Sequence, residues 1–271
     1  MSLLSKQKVS PKVVYNNVKE AEKPLVSVII PTLKSRNMEL ERAVHSIKKQ
    51  TYEHIEIIIE EGGRNPQEAR NIAVRKSRGK YLAFMNDDDQ WYPTKIEKQV
   101  AYMESHDECT LCITWGDDYK FGFYHLIKPK PHWTFKELIA GFNISCTSAF
   151  LCRRSSFYAV GGMDEGLDDL HEYDLALKLS CIGTVYCIQE SLVRFCQILD
   201  NVKMCDDNWS ADFEKKIRGM FQFVRKWGHC FDTKRWVKTA LCFCLFTWGK
   251  FIHGQSAYAL FNWTKSLQEQ S

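Results

Sequence analysis

The chain has 271 residues, 45% of them hydrophobic and 26% charged, with a formal net charge of +4. That length supports one large domain or two small ones with a full core, and 13% aromatic residues exclude a disordered chain. There is no apolar run of roughly 18 residues, which excludes an obvious membrane-spanning helix, and the mild positive charge permits anionic ligands without pointing to nucleic acid.

Residues 1–24 read as a polar lead-in with no apolar signal core, ending at Pro24. Leu25 to Ile30 is a short β-branched run closed by Pro31, the pattern of a buried strand. Glu39 to Gln50 carries Leu40, Ala43, Val44 and Ile47 at helical spacing. Ile55 to Ile59 is a second buried strand, running into Glu60-Glu61-Gly62-Gly63. Pro66 to Arg78 predicts a helix, and Tyr81 to Met85 a third strand that ends in Asn86-Asp87-Asp88-Asp89. Pro93-Thr94 opens a helix through Ile96, Val100 and Met103.

The second half is less regular. Cys109 to Trp115 reads as a strand, Trp133 to Gly141 as a short helix, Thr147 to Cys152 as a strand and Ser155 to Val160 as a helix. Glu172 to Ile182 predicts a mostly buried helix, Val185 to Ile188 and Leu192 to Cys196 two short strands, and 211–227, 233–248 and 255–268 three closing helices. All 11 cysteines lie at or after Cys109. Strand alternation sets Cys109 and Cys112 on opposite faces, a poor chelating geometry, so core thiols are expected. The odd count favours a cytosolic protein.

Strands alternating with helices imply a mostly parallel sheet with helices packed on its faces. Ligands of such sheets bind beyond the carboxyl ends of the strands. Those ends are Pro31-Thr32, Glu60-Glu61 and Asn86 to Asp89, and two of the three are acidic. Adjacent carboxylates repel unless a positive group lies between them. A hard divalent cation is one solution, held by one or two carboxylates and completed by water and phosphate oxygens. A solvated acidic loop beside a helix N-terminus is the other.

The ordered set Val26 to Thr32, Ala69-Arg70-Asn71, Arg78 to Pro93 and Lys95 to Gln99, followed by Gly161 to Glu165 and His171 to Leu179, resembles the GT-A glycosyltransferases of family 2 over roughly residues 24–196. The resemblance implies a GT-A, Rossmann-like α/β domain over 25–200 with a helical extension over 201–271. It implies an inverting enzyme that moves a sugar from a nucleotide-diphospho-sugar to an acceptor hydroxyl, in polysaccharide or glycoconjugate synthesis, with Mn²⁺ or Mg²⁺. Pro31 and Thr32 would border the nucleoside, Glu61 would meet the base, and Arg70 would brace the acidic loop and nucleotide. Asp87 and Asp88 fall on the DxD-like segment, with Asp88 the metal ligand. Glu172 falls where the family places its catalytic base. An ordinary first-turn acid is the alternative reading of Glu172, and Asp174 is its nearest rival.

The chain also departs from the family. Glu60-Glu61 stands for Asp-Asp, Asn86 for the first acid of the loop, and His171-Glu172 for Glu-Asp, which gives the base a titratable neighbour. The stretch between Glu61 and Arg70 leaves no room for the usual helix and strand, so the sheet is expected to lack a strand there. These substitutions support a second reading, an impaired family member that binds nucleotide-sugar or glycan as a partner. The tail sets Arg225, Lys226, Lys234, Arg235, Lys238 and Lys250 among Trp227, Trp236, Trp248 and phenylalanines. That composition suits packing, a homodimer contact or the surface of an anionic membrane, and the last would accord with a lipid-linked acceptor.

Overall fold

The computed structural model describes residues 13–15, 23–120, 123–140, 144, 146–196, 215 and 218–230. The helices expected over 233–248 and 255–268, with most of the basic and aromatic tail, lie outside them. In chain order the elements are β1 (Val13–Tyr15), β2 (Val26–Pro31), α1 (Asn37–Lys48), β3 (Ile55–Glu60), α2 (Pro66–Lys76), β4 (Tyr81–Phe84), β5 (Gln90–Trp91) and α3 (Lys95–Ser105). They continue with β6 (Cys109–Lys120), β7 (Phe123–Ile127), β8 (His132–Trp133), α4 (Phe135–Ile139), β9 (Leu151–Arg153), α5 (Arg154–Ala159), α6 (His171–Ser180) and β10 (Thr184–Phe195).

One sheet runs β1-β3-β2-β4-β9-β6-β10-β5, with β7 on β6 and β8 on β10. β2 pairs in parallel with β3 and β4, and β6 with β10. β9 lies antiparallel between β4 and β6, so β3, β2, β4, β6 and β10 all point one way. β2, β3 and β4 are short, mostly apolar strands because both faces are covered. Val26, Val28, Ile29, Ile30, Leu82, Ala83 and Phe84 are fully buried, as are Cys109, Leu111, Cys112 and Ile113. Cys109, Cys112, Cys152 and Cys187 are buried free thiols, and burial raises all four above the usual thiol range.

Buried Glu56 sets the register between strands and helices. It accepts from Ser27 Oγ and the Arg78 backbone N–H, each at 2.6 Å, and from the Gly79 N–H at 3.2 Å. Gly79 lies so close to β2 that an added Cβ would sit 2.5 Å from Ser27 Oγ. The connection from α2 to β4 is thereby pinned, and the end of β4 lands beside the ends of β2 and β3.

Several elements differ from the expectation. The lead-in is not featureless: its Val-Val-Tyr run forms β1, antiparallel to β3. β3 does pass directly into α2, and the edge next to β3 is filled by this N-terminal strand. The two short strands after residue 184 are one strand, β10, whose polar Gln189-Glu190 coincide with register shifts against β6. Trp133 belongs to β8, and α4 starts after it because Thr134 and Glu137 form a reciprocal cap. Thr147–Ala149 is a 3₁₀ turn leading into β9.

The chain divides into two compact units, Met1–Gly166 with His171–Met204, and Leu167–Leu170 with Cys205–Ser271. Within the second, residues 218–227 are helical, and Arg218 Nε meets Asp168 Oδ2 at 3.1 Å. Among the described residues no helix is long and apolar enough to cross a membrane.

Candidate functional site

A cavity of about 350 Å³ opens at the carboxyl ends of β2, β3 and β4. Pro31, Thr32, Glu61, Arg70, Asp87 and Asp88 all line it, together with Arg36 and the 62–66 turn. The turn is tight: Gly63 has φ +115°, and a Cβ there would sit 2.8 Å from the Ala69 amide nitrogen. Asn65 then caps α2, accepting from the Glu68 N–H at 2.8 Å. Glu60 is turned away from the cavity, accepting from the Gly62 N–H at 3.0 Å and pairing with Lys76. Of the two glutamates, Glu61 faces the opening.

The acidic loop is differentiated residue by residue. Asp87 is nearly enclosed, its side chain 5% exposed, and accepts from Thr32 Oγ1 at 2.7 Å and from Arg36 Nη1 at 3.0 Å. Burial pushes its carboxyl up, against the Thr32 hydrogen bond and the Arg36 charge. Asp88 is the more open, at 25%, and meets Arg36 Nη2 at 2.9 Å. Asp89 points inward and accepts from Ser148 Oγ, from Asn86 Nδ2 at 3.1 Å and from the Cys196 N–H at 3.4 Å. The substitution at position 86 has a reason here: an amide both donates to Asp89 and accepts from Arg70 Nη2 at 2.7 Å, whereas an ionised carboxylate only accepts.

Burial lifts the Asp89 carboxyl to about 6, assisted by Asp88 and opposed by Ser148 and the Cys196 N–H. A carboxyl raised above its unfolded value of ~3.9 favours folding most below that pH, and this contribution is lost as pH rises to about 6. Asp89→Asn is neutral at every pH. It should therefore gain melting temperature relative to the parent chain on going from about pH 4 to about pH 6.5. A difference that stays flat across that interval would refute the buried, protonated assignment.

A platform of buried polar groups supports the loop. Lys95 is fully buried, with Nζ 4.1 Å from the Trp91 ring centroid and 2.8 Å from Gln99 Oε1. Burial lowers its ammonium to about 7. Gln99 Nε2 donates to the Cys112 and Ala149 carbonyls, and Trp91 Nε1 to the Ser148 carbonyl at 2.8 Å. Ser148 Oγ in turn holds Asp89 and accepts from the Asn86 N–H.

Arg70 joins this loop to the start of α6. Its side chain is buried, with Nη2 on Asn86 and Nη1 3.4 Å from His171 Nε2. Burial lowers the guanidinium from its usual value, and Glu172 is the largest opposing influence. Glu172 Oε1 accepts from Thr147 Oγ1 at 3.1 Å and faces His171 Nε2 at 3.3 Å. Gln67 Nε2 lies 3.0 Å from His171 Nδ1, on the far side of the ring. Burial acts to raise the Glu172 carboxyl, but the His171 charge and hydrogen bond, and then Arg70, outweigh it and leave the carboxyl at about 2. The side chain remains 29% exposed. Asp174 is fully buried and lies 3.3 Å from Lys178 Nζ, one turn along the helix, a position that serves packing. Leu170, directly before α6, has φ 61°, a left-handed conformation that costs a non-glycine residue about 1–2 kcal/mol and marks a constrained entry to the helix.

Arg36, Thr147, Ser148, Asp89 and Lys95 were not singled out by sequence reasoning for this site. Asp89 and Lys95 lie inside the motifs quoted above, without a role assigned to either. Arg36 had one readable signal, a cation shortly after the first strand end, but its partners are 51 and 52 positions away.

Residues 60–161 match the family described as Glycosyl transferase family 2. An uncharacterised glycosyltransferase of Rickettsia prowazekii is 27% identical over 235 residues, covering 72% of this chain and 73% of that one. Over this interval the chain is similar to the family 2 glycosyltransferases. The matched interval contains Glu61, Arg70, Asp87 and Asp88, while Pro31, Thr32 and Glu172 lie outside it. The chain is also 33% identical over 119 residues to the putative teichuronic acid biosynthesis glycosyltransferase TuaG of Bacillus subtilis, covering 34% of this chain and 46% of TuaG. It spans 63% of a Rickettsia typhi relative and 34% of a Rickettsia felis one. Its fold is that of S. aureus TarS 1–349 (TM-score 0.53, 13% identity, 91% and 92% of the two chains). It is also that of a mannosyltransferase from Pyrobaculum calidifontis (TM-score 0.58, 12% identity, 90% and 80%).

Proposed function

We propose that this protein is a glycosyltransferase that moves a sugar from a nucleoside-diphospho-sugar to an acceptor hydroxyl with inversion at the anomeric carbon, in the assembly of a polysaccharide or glycoconjugate. The observation that carries this reading is Arg70. One buried guanidinium contacts both the acidic loop of the donor cavity, through Asn86, and His171 beside Glu172. Donor-side and acceptor-side groups are thus held in one frame. Glu172 accepts the acceptor proton as the new glycosidic bond forms, and the bond to the diphosphate oxygen breaks on the opposite face. A single displacement of this kind inverts the centre. Pro31, Thr32 and Glu61 border the nucleoside, and Arg70 with Asp87 fixes the loop beneath it.

Asp88 would hold a divalent cation, Mn²⁺ or Mg²⁺, which supplies charge neutralisation for the departing diphosphate. The residues suit it: a partly exposed carboxylate beside a buried one. Among the described residues no cluster of three or more ligating side chains is present, so water and phosphate oxygens would have to complete the cation's shell. Support comes from fold relatives, since TarS has been crystallised with UDP and with UDP-GlcNAc, and the mannosyltransferase with GDP-Man and Mn²⁺. The acceptor we infer is a glycan or lipid-linked glycan, in keeping with the name of TuaG.

A thermal-shift panel of UDP-, GDP-, dTDP- and CMP-sugars, with and without Mn²⁺, tests the reading. A donor at about 100 times its Kd adds about 2.7 kcal/mol to native stability, a rise of several degrees in a chain of this size. If none of these donors raises the melting temperature, the reading fails. A donor that stabilises the protein yet is neither hydrolysed nor transferred selects the alternative, a non-catalytic nucleotide-sugar or glycan-binding partner, which the engagement of Asp87 and Asp88 by Arg36 would favour.

A further inference from the structure

Arg36 has no part in the mechanism above, yet its guanidinium pairs with both Asp87 and Asp88 at the cavity. Its guanidinium spans two carboxylates rather than gripping one, with Nη1 3.0 Å from Asp87 Oδ1 and Nη2 2.9 Å from Asp88 Oδ2. The two acids are not equivalent partners. Asp87 is 5% exposed and is also held by Thr32. Asp88 is 25% exposed, and Arg36 itself 32%. Both Arg36 and Asp88 line the same cavity. The Asp87 contact is therefore the anchored one and the Asp88 contact the releasable one.

We propose that Arg36 is the resident countercation of the acidic loop, transferred from Asp88 to the donor diphosphate when donor and divalent cation bind. The proposal rests on the transferase reading and extends it. Charge arithmetic supplies the reason. Asp87, Asp88 and Arg36 together carry a single net negative charge, a weak attractant for a divalent cation on its own. A divalent cation on Asp88 reverses that sign and displaces the guanidinium, which is left facing the incoming diphosphate. The planar fork of arginine suits both tasks, since it matches carboxylate and phosphate geometry alike. Cation and donor would then bind synergistically, each weak without the other, and an empty site would keep its acids partly compensated by a covalently attached group.

Arg36→Gln separates this role from simple support of the loop, because it moves two affinities in opposite directions. Mn²⁺ alone is titrated into the nucleotide-free protein and followed by the electron paramagnetic resonance of free Mn²⁺. Binding to Arg36→Gln should be tighter by about tenfold or more, because a nearby positive charge has been removed. UDP and GDP binding in saturating Mn²⁺, measured by calorimetry, should weaken by about tenfold, through loss of a charge-assisted contact. Arg36→Lys keeps the charge without the fork, and should fall between the two in both measurements. The inference is overturned if Mn²⁺ affinity is unchanged, or if it falls together with nucleotide affinity, which is the result of a loosened loop. Should Arg36→Gln melt with the loop disordered, Arg36→Lys alone decides, by the same opposite signs. A wild-type protein that binds neither nucleotide removes the transferase reading, and with it the diphosphate half of the proposal. The Mn²⁺ measurement then still decides whether Arg36 is the countercation.

Discussion

Glu172→Gln is expected to reduce glycosyl transfer by about 10²–10⁴-fold, the range for loss of a general base, while leaving donor binding within about twofold. Glutamine is isosteric and still accepts from Thr147 Oγ1, so the 3.1 Å contact that locates the side chain is preserved. What is lost is the capacity to take a proton. The carboxyl lies at about 2, because His171 and Arg70 outweigh burial. It is therefore ionised throughout the neutral range, the state a base requires. The same value makes it a weak base in the donor-free protein, and the largest depressing influence named is the charge of His171. His171→Asn should accordingly change the pH profile of transfer more than its maximum. Wild-type turnover in Glu172→Gln, with donor bound normally, would remove Glu172 from the role, and buried Asp174 is badly placed to replace it.

Asp88→Ala carries the second large effect. Loss of the most exposed acid of the loop should abolish Mn²⁺-supported transfer, a fall of about 10³-fold or more, given that a Lewis acid supplies several kcal/mol at a leaving group. The fold should persist, because Asp88 is at the rim and its one described partner, Arg36, keeps Asp87. Asp88→Asn provides a control that retains an acceptor for Arg36 Nη2 while removing the charge. Equal loss in both variants identifies charge as the requirement. Full transfer in either variant, assayed across Mn²⁺ concentrations, would remove Asp88 from the metal role.

The first half of the chain was readable because its strands are short, mostly apolar runs and α2 and α3 begin beside proline. β2, β3 and β4 lie within a residue or two of their expected positions. The second half misled in proportion to its departure from such patterns. Gln189-Glu190 looked like a gap between strands, yet β10 runs through them by slipping register on β6. Val13 to Tyr15 looked like part of a polar arm because three residues are too few to show a period, and only pairing with β3 makes them a strand.

The site divides along the same line. Proline, threonine and acids at the ends of apolar runs can be located from spacing, since parallel strands bring their carboxyl ends together, and Glu61, Arg70, Asp87 and Asp88 duly share a cavity with Pro31 and Thr32. Spacing is silent about which way each acid turns. Asp87, Asp88 and Asp89 are consecutive, yet one is clasped, one is open and one is buried at about 6. Glu60 and Glu61 are adjacent, and only the second faces the cavity. Neighbouring side chains on a turn diverge in direction, so their fates depend on partners contributed from far along the chain: Arg36, Lys76 and Ser148. Chain order therefore announced the fold and the address of the site. Packing alone assigned each carboxylate its partner, and with it a charge state and a task.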